Sequence, residues 1–135
     1  MIAISRTPIN SREVTESVYH PHDGAVVSFE GIVRNHAEGR AVDYLEYEAY
    51  PAMAEAQMQL IVEEITQKWG ITHVSMVHRI GRLEIGELAV VVAVGSPHRR
   101  EAFEACHYAM NRLKETVPIW KKEFYHDHEP EWKSR

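Results

Sequence analysis

A chain of 135 residues can bury a core without disulfide staples, and 44% hydrophobic with 26% charged residues excludes a disordered chain. Twenty acidic against fifteen basic side chains leave a net charge of −5, which excludes the broad basic footprint of a non-specific nucleic-acid binder. One cysteine, Cys106, rules out a disulfide within the chain and points to a reducing, cytoplasmic compartment.

The opening MIAISRTPIN has no apolar signal core. The longest apolar run, Leu88 to Val94, is far short of the ~20 residues of a membrane span. A soluble single domain over 1–135 is expected. NSREV opens a short helix, with Asn10 or Ser11 as its cap. GAVVSFEGIVR is rich in β-branched residues and reads as a strand. VDYLEYEAY alternates, with Leu45, Tyr47 and Ala49 on one face and Tyr44, Glu46 and Glu48 on the other, as in a half-buried strand. From Pro51 the period becomes helical through Met58, Ile61, Val62, Ile65 and Trp69, and Gly70 stands at the C-cap position.

THVSMVHRI and ELAVVVAVG are the next two strands, joined by the connection GRLEIG. The second is apolar on both faces, which predicts a central strand. A second helix follows, with Ser96 as expected N-cap, Pro97 at its first position, and a stripe of Ala102, Phe103, Cys106, Ala109, Met110 and Leu113. Pro118 stops it, and IWKKEFY is the last strand. The predicted order is β-β-α-β-β-α-β: an α+β domain with two main helices on one mixed or antiparallel sheet.

VPIWKKEFY sets two lysines behind a tryptophan that reads as buried. A solvated face would explain them, and so would an anion. Strand alternation puts Lys121 and Lys122 on opposite faces, so one of them at most points into a given site. SPHRR gathers His98, Arg99 and Arg100 at a helix N-terminus, where free N–H groups and the helix dipole favour a phosphate or carboxylate. Lys114 lies in the last turn, where the dipole favours a cation with or without a ligand. Arg34 ends the first strand, beside His36. Cys106, on the apolar stripe, reads as an inert core thiol. The histidine-rich stretches HPH and HDHE match no metal-ligand spacing, and there is no P-loop, GxGxxG or GxSxG. Neither a metal nor a cofactor is expected.

Five stretches in order, FEGIVRNHAEGR, LEYEAYPAMAE, HRIGRLEIGE, SPHRREAF and LKETVPIWKKE, resemble the large, catalytic subunit of molybdopterin synthase, the MoaE family. They span Phe29 to Glu123. The resemblance implies an α/β-hammerhead fold and a sulfurtransferase acting on cyclic pyranopterin monophosphate (precursor Z). The sulfur would arrive as a thiocarboxylate on the C-terminal Gly-Gly tail of a small ubiquitin-like subunit of the MoaD type. It also implies a homodimer with one small subunit at each end, a heterotetramer.

The positions that carry the family pattern are Phe29, Arg34, His98, Arg99, Met110, Lys114, Lys121 and Glu123, with Ile32, Val33 and Lys122 beside them. Lys114 would lie at the reaction centre, stabilising a tetrahedral oxyanion, moving a proton or attacking as an amine. Lys121 would hold substrate or polarise the acyl group. Arg34, His98 and Arg99 would bind phosphate and pterin, a task suited to the guanidinium fork. Phe29 and Met110 would line the pocket. Ile32 stands where some members carry a lysine, so a contact there is apolar or through backbone. A basic residue from the C-terminal tail is also implied, with Lys133 and Arg135 as candidates.

Sixteen residues separate His98 from Lys114 on one predicted helix, which is about 24 Å at ~1.5 Å per residue. A pterin-sized ligand cannot touch both ends, so the expected site is shared between two subunits. Two other readings compete: a phosphate- or pterin-binding module without chemistry, and a scaffold for a ubiquitin-like protein.

Overall fold

The computed structural model describes residues 1–134. Strand β7 (Leu88–Ser96) is apolar on both faces because each face meets a different layer. It is flanked by β5 (His73–Arg79) and β2 (Ala25–Ile32), both antiparallel to it, and β1 (Ile2–Ser5) adds to β5 in parallel. Val91 and Ala93 pack with Val14 and Val18 around α1 (Ser11–Glu16). Val90, Val92 and Val94 join Met58, Ile61 and Ile65 of α2 (Pro51–Trp69) and Ala105, Ala109 and Leu113 of α3 (Arg99–Thr116). Each buried valine contributes about 1.5–3 kcal/mol, so this four-valine strand belongs at the centre, as its sequence predicts.

A second, antiparallel sheet runs β3 (His36–Ala37), β4 (Arg40–Ala49), β8 (Ile119–Tyr125) and β9 (Glu131–Lys133), with β6 (Gly81–Glu84) also paired to β4. Leu45, Tyr47 and Ala49 lie opposite Glu123, Lys121 and Ile119 and share the inner face with them. Leu45 and Tyr47 are buried in the cluster that also holds Val92 and Leu113, so one core joins the two sheets. The β3–β4 hairpin turns through Glu38 and Gly39, both at positive φ (51° and 75°), as a two-residue loop requires.

The α+β class, the seven elements of the predicted order and the short NSREV helix are all present, but the single expected sheet is two. Four strands are additional. GRLEIG is no mere connection: Gly81–Glu84 is β6, and β1, β3 and β9 are also new. The predicted cap of α3 is corrected as well. Ser96 is still in β7, held opposite Ala25 and accepting from the Gly24 N–H, so it cannot begin a helix. Pro97 ends the ladder because it has no N–H to donate, and His98 is the N-cap, in extended conformation. Asn10 caps α1 through the Glu13 N–H, and Gly70 ends α2 at φ 70° as expected. Trp120 is not buried; it lies on the outer face, 37% exposed, edge-on to Tyr50.

Candidate active site

Lys114 and Lys121 come from different elements and line one cavity of about 170 Å³. Lys114 stands in the last turn of α3, one turn beyond Met110, and both face the strands beneath. Lys121 comes from the inner face of β8, opposite Tyr47. Phe29, Gly31 and Ile32 of β2 form one wall, and His78 and Val90 part of the floor. A smaller concavity of about 60 Å³ adjoins it, sharing Ile32, Tyr47 and Lys121 and adding Val33, Arg34, His36 and Glu123. Three shallower depressions elsewhere are larger, at about 400, 390 and 370 Å³. No lysine or arginine lines any of these three, whereas the Lys114–Lys121 pair of concavities offers countercharge to an anionic ligand.

Glu123 organises the basic side. It is 3% exposed, and its carboxylate lies 3.5 Å from Lys121 Nζ and 3.4 Å from Lys133 Nζ while accepting a 2.7 Å hydrogen bond from the Tyr125 hydroxyl. Burial raises its affinity for a proton. The Tyr125 bond and the two ammonium groups outweigh that, and its carboxyl ends below the usual range. Tyr125 moves the other way, pushed up to about 12 by burial and by the carboxylate it donates to. Glu123 therefore stays ionised and holds Lys121 in the site. Lys114 and Arg34, by contrast, have no carboxylate partner among the described residues. Lys114 lines the larger concavity and Arg34 the smaller one that adjoins it.

The structure brings together Phe29, Ile32, Val33, Arg34, Met110, Lys114, Lys121 and Glu123. It does not bring His98, Arg99 or Lys122 to them within the chain. α3 runs unbroken from Arg99 to Thr116, so His98 and Arg99 sit at its far end, exposed. Lys122 is on the outer face, its Nζ over the rings of Phe124 (5.2 Å) and Trp132 (5.4 Å). Of the two tail candidates, Lys133 reaches Glu123 and also Glu38 (2.9 Å), so it supports the acid behind Lys121. Arg135 lies outside the described residues. Cys106 is buried, and burial pushes its thiol up to about 11.

Tyr47, His78 and Gly31 are cavity residues that the sequence reading passed over. Tyr47 was legible only as the inner face of a strand. His78 carried a usable signal, a histidine inside the otherwise apolar SMVHRI at a core-facing position. Gly31 lay within a strand, where a glycine marks a close approach. A Cβ there would come within 2.7 Å of Val90 Cγ1 and 3.3 Å of the Phe29 ring.

Residues 4–116 match the family model described as MoaE protein. The chain is 50% identical over 127 residues to a molybdopterin synthase catalytic subunit of Halalkalibacterium halodurans, covering 94% of this chain and 81% of that one. Its structure is similar to the crystal structure of molybdopterin synthase from Staphylococcus aureus, with TM-score 0.93, 46% identity and 98% and 96% of the two chains covered. A likeness in fold extends to a complex of subunits 1 and 2 of the molybdopterin-converting factor from Helicobacter pylori, with TM-score 0.77, 22% identity and 93% and 86% covered.

Proposed function

The chain belongs to the MoaE protein family and is a sulfur-transferring enzyme of the molybdopterin synthase catalytic type, and we propose that it works through the cavity between Lys114 and Lys121. The substrate is precursor Z, and the sulfur donor is the thiocarboxylated Gly-Gly tail of a small MoaD-type subunit. The observation that carries this reading is the meeting of Lys114, from α3, with Lys121, from β8, in one cavity beside Arg34.

In this reading Lys114, the cation without an acid partner, faces the acyl carbon and stabilises the oxyanion that forms there. Lys121, fixed by Glu123, holds the anionic substrate, and Arg34 takes the phosphate. Phe29, Ile32, Val33 and Met110 supply the apolar wall. The narrow 170 Å³ space suits an extended glycine tail rather than a folded loop.

His98 and Arg99 complete the site from a second copy. Two observations support this. They lie about 24 Å from Lys114 along an unbroken helix. β2, at the edge of its sheet among the described residues, is not buried at any position, and Val26, Phe29 and Ile32 on it, with Phe103 of α3, are exposed. A twofold-related copy laid along β2 and α3 would cover that apolar side and set each helix N-terminus against the other's C-terminus.

The described residues act as one domain, since one hydrophobic cluster joins both sheets. No helix among the described residues is long and apolar enough to cross a membrane. A cytoplasmic setting follows from the lone thiol and from a thiocarboxylate donor. The test is dithiolene formation from precursor Z and thiocarboxylated carrier by the wild-type protein. Product establishes the reaction; carrier bound and substrate returned intact would leave a binding module.

A further inference from the structure

His78 is the least expected side chain in the cavity. It is 1% exposed, at a position of β5 where Val74 and Met76 on the same face belong to the main core. A valine or leucine there would pack without the cost of desolvating an imidazole. The sheet places it with care. His78 lies opposite Val90, and Val90 opposite Gly31, so the three form a row across β5, β7 and β2. The glycine at the end of that row keeps the space in front of the others open.

The ring's hydrogen bonding sets its chemistry. Nδ1 lies 2.8 Å from the Arg79 carbonyl oxygen. A carbonyl only accepts, so Nδ1 carries the hydrogen, and in the neutral ring Nε2 carries the lone pair. The Arg79 segment is itself fixed. Its guanidinium is 2.7 Å from Glu87, and the Ile80 N–H next to that carbonyl donates to Ser5. Tyr47 closes on the imidazole edge-on, with ring centroids 4.9 Å apart. Lys114 and Lys121 line the same cavity. A buried histidine held in one tautomer, in a cavity with two ammonium groups, is arranged as a base.

We propose that His78 is the general base of the sulfur transfer, and the proposal rests on the reaction proposed above. Sulfur leaves the carrier only when its bond to the acyl carbon breaks. Once the thiocarboxylate sulfur has added to a carbonyl carbon of the substrate, whose π pair moves onto the oxygen and takes up a proton, carrier and substrate are joined as a thioester. Water attacks the acyl carbon and passes a proton to Nε2 of His78. The carbon–sulfur bond breaks, its electron pair leaves on sulfur as the substrate thiolate, and the carrier departs as a carboxylic acid that releases its remaining proton to solvent. Lys114 stabilises the oxyanion between these events. No oxidant or reductant is involved.

The test uses full-length His78→Asn with thiocarboxylated carrier and precursor Z. The asparagine amide can still donate to the Arg79 carbonyl, but it has no basic nitrogen. The expected result is a carrier–substrate thioester that accumulates, seen by intact mass spectrometry, with hydrolysis slowed about 100-fold, as loss of a general base implies. Neutral hydroxylamine, which cleaves thioesters without a base, should release it. A variant that is merely misshapen would slow adduct formation and hydrolysis together. His78→Gln, whose amide overlays Nε2, provides the same reading if the asparagine variant does not fold. Wild-type turnover in the variant, or slow turnover without adduct, overturns the proposal. Absence of product from wild type would instead overturn the reaction on which it rests.

Discussion

Glu123 Oε2 lies 3.5 Å from Lys121 Nζ, on alternate residues of the same strand face, and the carboxylate is almost wholly buried while the lysine is not. The acid is thus a buried anchor for a partly exposed lysine. Replacing Glu123 with leucine would leave the Tyr125 hydroxyl and two ammonium groups without their acceptor. A loss of about 1–3 kcal/mol is expected in urea unfolding. Precursor binding should weaken as well, because Lys121 is no longer held toward the cavity.

The same carboxylate gives an acid limb to stability. Its pKa is lowered in the folded state, so its contribution is complete above the ordinary glutamate value of about 4.3 and is lost as pH falls through the folded value. Urea midpoints of wild type and Glu123→Gln should therefore differ most above about pH 5 and converge toward acid. A gap that widened toward acid would contradict the assignment.

Gly31→Ala places a methyl group 2.7 Å from Val90 Cγ1, on the cavity wall. Overpacking of this kind costs about 1–3 kcal/mol. The protein should still fold and should lose activity out of proportion to stability, since Val90 must shift and the Phe29 ring must give way on the cavity wall. Thermal unfolding and turnover, measured on one preparation, separate the two effects.

Cys106 is outside the sulfur path. With its thiol raised to about 11 and its side chain buried, alkylation by iodoacetamide at pH 8 should be slow until the protein unfolds. Cys106→Ala should retain full sulfur transfer when supplied with thiocarboxylated carrier. Labelling of the native protein at the rate of a free thiol would overturn this.

A shared site makes inactive subunits complementary. Homodimers of Lys114→Ala and of Arg99→Ala should each be impaired. Mixed dimers should regain one intact site of two, about a quarter of wild-type activity after random re-assortment of equal amounts, as symmetric exchange dictates. No gain on mixing, with exchange verified, would place His98 and Arg99 outside the site.

Much of this was legible in the sequence where the signal is local. The alternation of Leu45, Tyr47 and Ala49 gave the inner face of β4, and the run from Leu88 gave the central strand. β1 and β6 span only four residues each, too few for a period to declare itself, and Gly81 and Gly86 around β6 read as loop punctuation. The division into two sheets depends on β4 meeting β8 across seventy residues or more, which no local pattern encodes. At the site, Lys114 and Lys121 stood out through family resemblance. Tyr47 and His78 were hidden because a side chain on the core face of a strand is first read as packing.

The central claim is that sulfur transfer occurs between Lys114 and Lys121. Its most direct measurement is single-turnover dithiolene formation by wild type, Lys114→Ala and Lys121→Ala, with carrier binding measured in parallel. The account predicts a collapse of at least about 100-fold in Lys114→Ala, as for loss of an oxyanion-stabilising group, with the carrier still bound. Lys121→Ala should lose substrate affinity as well as rate. Full activity in both variants would contradict it.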